Sequence, residues 1–310
     1  MRRHLAWAVP VAALTLVLAG CSDKGKDSGS GTGTTTGATS TTSTAAEAAS
    51  NPLVDRAVTE YQAYVIDQTN ELVRVVKTFT DAVRANNLEA AQNAFAPSRE
   101  PWERIEPIAG LIEDIDTLID SRVDDFAGVD DPNFTGWHRL EYLLFDKNTT
   151  EGGAPFADQL DQGVARLQQE MPNVEMAPVD VAGGAAELIE EVSEGKITGE
   201  EDRYSKTDLW DFDANVQGSQ AAIERLKPAL QQANPDLLGK IEKGFSDIDA
   251  TLAPLRRGDG WVLFCPEGSE FPSPRCPEVT VPPQTVDILK AQLAGLSENL
   301  SQVAGALGLK

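Results

Sequence analysis

Apolar residues recur at steps of three and four along most of the chain beyond residue 52. Val54, Val58, Tyr61, Val65, Leu72, Val76, Phe79 and Val83 form one stripe, which predicts an amphipathic helix from about Leu53 to Asn86. The stretch "NNLEAAQNAF" predicts a short continuation that breaks at Pro97. Ile105, Ile108, Ile112, Ile115 and Ile119 predict a helix from Glu100 to about Ile119. Further helices are expected over 136–145, 156–170, 179–192, the apolar steps from Leu209 to Leu230, and 235–256. The last segment has Val286, Leu289, Leu293, Leu296, Leu300, Val303 and Leu307 on one face, which suits a helix that seals a bundle. No run of alternating strands stands beside these patterns. The expectation is an all-α fold of two packed helical bundles.

The first fifty residues follow a different pattern. "MRRH", then "LAWAVPVAALTLVLAG", then Cys21 reads as a leader whose "LAGC" ending resembles a bacterial lipobox. Residues 1–20 are therefore expected to be a lipoprotein signal peptide, and Cys21 the lipid-bearing first residue after cleavage. Residues 21–51 are Gly, Ser and Thr with little to bury, as expected of a flexible tether. Residues 52–310 are the expected helical domain. This layout places the chain on the outer face of the cell membrane, at the cell surface or in the periplasm, held by the lipid. Outside the cytoplasm, Cys265 and Cys276 in the Pro-rich "FCPEGSEFPSPRC" are expected to form a disulfide. A metal–thiolate site there lacks other Cys or His residues to complete it.

Charge narrows the function. The net charge is -23, from 26 basic and 49 acidic residues. That disfavours nucleic acid and anionic membrane surfaces, both of which need basic patches. It suits a cation binder, or simply a well-solvated surface.

The candidate chemistry centres on "FTGWHRLEYLLF". His138 and Glu141 are three apart, so a helix turns both to one side. Imidazole nitrogen beside carboxylate oxygen suits a borderline cation such as ferrous iron or zinc; a plain His–Glu hydrogen bond in a core helix fits the same letters. "WERIEP" repeats the spacing with Glu103 and Glu106, and acidic clusters follow at Asp114–Asp125 and Glu200–Asp208. Each cluster taken singly also reads as a solvated face. Brought together around the imidazole, the carboxylates repel one another, and a captured cation relieves the repulsion. The motifs of other chemistries are missing: no Gly-x-Ser-x-Gly elbow appears, and "HRLEY" lacks the second histidine of a zinc protease. No catalytic residue is assigned.

Long ordered stretches resemble a known family. "WERIEPIA", "IDSRVDDF", "FTGWHRLEYLLFDKNTT", "VAGGAAELIEEV" and "KITGEEDRYSKTDLWDFDANVQG" are similar to EfeO-type iron-uptake components of the imelysin-like group. The resemblance implies an imelysin-like fold and capture of ferrous or ferric iron, with zinc or copper as substitutes in vitro. It implies a membrane iron permease and a secreted haem peroxidase as partners. The family's Gly-x-His-x-x-Glu signature falls on His138 and Glu141, and its acidic pair on Glu103 and Glu106; Asp120 and Glu201 lie in matching stretches. Longer members carry an amino-terminal cupredoxin-like domain where this chain has its tether. Two rival expectations are a metal-dependent peptidase of imelysin type and a structural lipoprotein without metal.

Overall fold

The computed structural model describes residues 51–309. The leader, Cys21 and all but the last position of the tether lie outside the described residues.

Helix α1 (Pro52–Arg84) begins where Asn51 caps the Leu53 amide and Pro52 supplies a preset first turn. Its buried face runs Val54, Ala57, Tyr61, Val65, Leu72, Val76, Phe79 and Val83, close to the stripe read from the sequence. Asn86, at φ 55°, turns the chain into α2 (Leu88–Glu103), whose Asn87 cap accepts from Ala90. The break expected at Pro97 does not occur. Pro97 and Asn93, whose carbonyl it orphans, both face solvent. Meanwhile Phe95, Ser98, Arg99 and Trp102 on the opposite side hold the helix in the core.

The helix expected over 100–119 is interrupted instead. Pro107 cannot donate to the Glu103 carbonyl, which accepts from the Asn215 side chain at 3.1 Å. A 3-10 segment (Glu106–Leu111) follows, then α3 (Glu113–Asp120). The histidine helix α4 (Gly136–Glu141) is short and passes into one turn of π-helix over Tyr142–Asp146.

The remaining helices are α5 (Ala154–Glu170), α6 (Pro178–Glu194), α7 (Asp208–Ala233), α8 (Pro235–Leu252), α9 (Pro283–Ser301) and α10 (Val303–Leu307). Helices α1, α2 and α5 form one bundle with α3 and α4 at its end; α6, α7, α8 and α9 form the second; α7 also packs on α1 and α2 and joins them. The core is continuous through both. Leu289, Leu293, Leu296 and Leu300 of α9 close the second bundle, each burial contributing about 1.5–3 kcal/mol. The strands are a two-residue hairpin, β1 (Arg256–Arg257) against β2 (Gly260–Trp261). No helix among the described residues is long and apolar enough to cross a membrane.

Candidate metal centre

Three chain segments converge where the two bundles meet. Helix α4 supplies His138 and Glu141, the end of α3 supplies Asp120, and the loop between α6 and α7 supplies Glu201 and Asp202. Gly136 makes the first juxtaposition possible. Its φ is +75°, and a Cβ there would lie 2.2 Å from the Ile119 carbonyl oxygen. A bare backbone therefore lets α4 start against the last turn of α3, setting His138 beside Asp120.

The imidazole is buried, and its two nitrogens face different partners. Nδ1 lies 3.1 Å from Glu141 Oε2. The other Glu141 oxygen accepts from the Tyr204 and Ser205 amides, both at 2.8 Å. Glu141 is thus fully engaged and fixes the ring. Nε2 lies 3.5 Å from Asp120 Oδ1 and 3.6 Å from Glu201 Oε1. Among the described residues, two sets have ligand atoms all within 4.8 Å of one another: Asp120, His138 and Glu201, and His138, Glu141 and Asp202. Asp202 Oδ1 is buried with no hydrogen-bond partner, while Thr207 Oγ1 donates to Oδ2.

Glu103 and Glu106 are not drawn to the imidazole. Both face Lys196, whose Nζ lies 3.0 Å from Glu103 Oε2 and 2.8 Å from each Glu106 oxygen. Asn215 donates to the same pair at 2.9 and 2.7 Å. Glu103 joins the histidine cluster only indirectly, through Lys196, whose Nζ also lies 3.8 Å from Glu201 Oε1, and through the wholly buried Arg99. That guanidinium touches Glu103 and Asp120, reaches Glu201 at 3.0 Å and Asp211 at 3.3 Å, and lies 3.4 Å from His138 Nε2.

Arg99 and Lys196 are the residues that sequence reasoning missed. The signal was present for Arg99, four positions after Phe95 and three before Trp102, on the stripe that α2 buries. A basic residue in an acidic helical segment reads by default as solvated.

The electrostatics leave the site short of positive charge. Glu103, Asp120, Glu141, Glu201, Asp202, Asp208 and Asp211 are buried, against Arg99, Lys196, Lys206 and His138. Burial and the Arg99 charge both oppose an imidazolium. Contacts to Asp120, Glu141 and Glu201 outweigh them, and His138 is held well above its ordinary pKa. Burial likewise works against the Asp120 carboxylate, but Arg99 and His138 hold its pKa down at about 2. Glu201 is also kept low, by Lys196, His138, Arg122 and Arg99 against its burial. Burial drives three further carboxyls upward, Asp202 to about 7 with help from the Glu141 charge, and Asp208 and Asp211 well above their usual range. Carboxyls that hold protons for want of a counter-charge are groups from which a multivalent cation can displace them.

A cavity of about 300 Å³ is lined by Glu106, Asp116, Asp125, Glu187 and Glu191, with Asp120 and Glu201 among its walls. Those last two are the carboxylates facing Nε2, so the cavity leads to the histidine cluster.

Behind the site, the disulfide between Cys265 and Cys276 closes a loop packed on the 199–207 segment. Phe264 donates its amide to the Lys206 carbonyl at 2.8 Å. Arg275 Nε donates to the Ser205 carbonyl at 3.0 Å, and its guanidinium lies 4.7 Å from the Phe145 ring centre in the π turn. The loop therefore grips both segments that frame Glu141.

The Imelysin (Peptidase_M75) family model matches residues 57–303. The chain is 46% identical over 254 residues to the protein named "Iron uptake system component EfeO" from Escherichia coli O157:H7, and equally to those from Escherichia coli K12 and Shigella flexneri. The alignments cover 82% of this chain and 64% of each relative.

Proposed function

The chain belongs to the imelysin family, and from that premise we propose that it is an extracytoplasmic iron-binding component that captures ferrous or ferric iron and delivers it to a membrane iron permease. The carrying observation is that one buried imidazole and two carboxylates from separate segments come together, and that the two carboxylates also line an acidic cavity. Metal–donor bonds of about 2.1 Å at tetrahedral angles put donors roughly 3.4 Å apart. His138 Nε2 is 3.5 and 3.6 Å from its two carboxylate partners, which supports a common ion.

In this reading His138, Asp120 and Glu201 hold the cargo. Glu141 accepts the Nδ1 proton and keeps Nε2 turned to the ion, the usual task of a carboxylate behind a metal-binding histidine. Arg99 contacts the donor atoms of His138, Asp120 and Glu201 in the metal-free protein and withdraws onto Glu103 and Asp211, which it already touches, as the ion arrives. Glu103 and Glu106 contribute by anchoring Lys196. The ion replaces protons and eases the carboxylate excess, so binding is reversible and sensitive to acid.

The rest of the assignment follows the same reading. Residues 1–20 are the leader, Cys21 carries the lipid anchor, and 21–51 form the tether of the 52–310 domain. The permease and a secreted haem peroxidase are the partners. A carrier is favoured over a hydrolase because Glu141, the carboxylate nearest the ring, has both oxygens committed. It has none left to activate water.

Titration calorimetry with ferrous iron under anaerobic conditions tests the site. His138→Ala should lose on the order of a hundredfold in affinity with its far-UV circular dichroism unchanged. Wild-type affinity in that variant would remove His138 from the ligand set.

A further inference from the structure

Arg122 stands in the cavity through which the cluster is reached. It follows α3 directly, where Ser121 leaves helical geometry, and its own amide donates to Asp125 Oδ2 at 2.9 Å. That turn aims the side chain across the cavity, which it lines together with Asp120 and Glu201. Its Nη1 lies 2.5 Å from Glu201 Oε2 and 3.6 Å from Glu200 Oε1. The side chain keeps 27% of its exposure while Glu201 keeps 3%, so the guanidinium lies on the solvent side of the carboxylate.

Glu201 is therefore divided between two tasks. Oε1 points inward, 3.0 Å from Arg99 and 3.6 Å from His138 Nε2. Oε2 points outward and is held by Arg122. A cation moving along the cavity towards Nε2 meets the positive Arg122 before it meets Oε1. The contact with Oε2 does not use the oxygen an inner ion would take, so it can re-form once the ion has passed.

Resting on metal capture at this cluster, we propose that Arg122 is a gate: its bond to the outer oxygen of Glu201 closes the cavity in both the empty and the loaded protein and sets the rate at which the ion enters and leaves. It is a positioning residue, acting through Glu201. The swing is short, since Glu200 already lies beside it as an alternative partner. The acidic lining outside the gate concentrates cations there. A monovalent ion gains little by displacing a guanidinium of equal charge, whereas a divalent ion doubles the attraction to the carboxylate.

Stopped-flow tryptophan fluorescence tests the gate, because Trp102 Nε1 donates to Asp120 Oδ2 at 2.7 Å and reports on the floor of the cavity. Ferrous iron is mixed anaerobically with the full chain, and release is followed after adding excess chelator. Arg122→Gln should raise both the association and the release rate, each by roughly tenfold, with the Kd changing less than either rate. Arg122→Lys keeps a cation in the cavity and should restore slow exchange. A purely structural role would instead shift affinity or thermal stability, and lysine would not rescue it. Wild-type rates in Arg122→Gln would overturn the gate and leave iron capture standing. Absence of iron binding by the wild-type chain would overturn both.

Discussion

His138 has its place because position 136 carries no side chain. The positive φ and the 2.2 Å approach to Ile119 oxygen leave no room for even a methyl group. Gly136→Ala should therefore cost about 2–4 kcal/mol, from backbone strain together with overpacking. Urea denaturation would measure it, and a loss below 0.5 kcal/mol would show that α4 adjusts freely. The i, i+3 spacing made the His138–Glu141 pair legible in the sequence, because helix geometry is local. Asp120 and Glu201 stood in the sequence only as members of acidic clusters, and only resemblance to a family singled them out, since their approach to the ring depends on how α3 and the 199–207 loop are folded. The sequence reading also left the ion alone to neutralise the carboxylates. Arg99 already takes part of that role in the folded chain, which no local pattern of charges discloses.

At the scale of elements, helices with one continuous stripe were legible, and those governed by proline were not. Helix α1 matches its apolar periodicity to within two residues at its far end. Two prolines in and after α2 gave the wrong boundaries. Pro97 is tolerated because its orphaned carbonyl faces water, whereas Pro107 ends the helical run because the Asn215 side chain takes over the carbonyl it frees. That second break separates α2 from α3 and lets Asp120 return to the site. The loop closed by Cys265 and Cys276 acts on the same centre from behind. Replacing both cysteines by serine should lower stability by about 2–3 kcal/mol. It should also weaken iron binding severalfold, because Arg275 and Phe264 lose their fixed approach to the 199–207 segment. Calorimetry on the double variant checks both, and an unchanged iron affinity would confine the disulfide to stability.

For the molecule as a whole, the buried carboxyls dictate the response to pH. Asp202 and Asp116 both have pKa values pushed up to about 7, Asp202 by burial and Glu141, Asp116 by burial and the Asp120 charge. Between the ordinary carboxylate range near ~4 and about 7, the folded chain holds these protons and the unfolded chain does not, so stability falls as pH rises through that window. Asp120, held at about 2, acts in the opposite sense, but only below the ordinary range. The imidazolium at His138 contributes stability that is lost only above neutrality, as pH passes its raised pKa. Metal-free protein should thus melt at a higher temperature at pH 5 than at pH 7. Added ferrous iron should raise the melting temperature more at pH 7, where fewer protons compete. Scanning calorimetry at the two pH values decides it; a melting temperature that climbs from pH 5 to pH 7 would contradict the carboxyl assignment. The cavity beside Asp120 and Glu201 has a consequence for traffic. In the proposed carrier, ions that enter and leave by that cavity pass the same walls, so a receiver seated over it to collect cargo also shuts out the next ion. Filling and emptying must then take turns, and throughput is limited by how long the receiver stays.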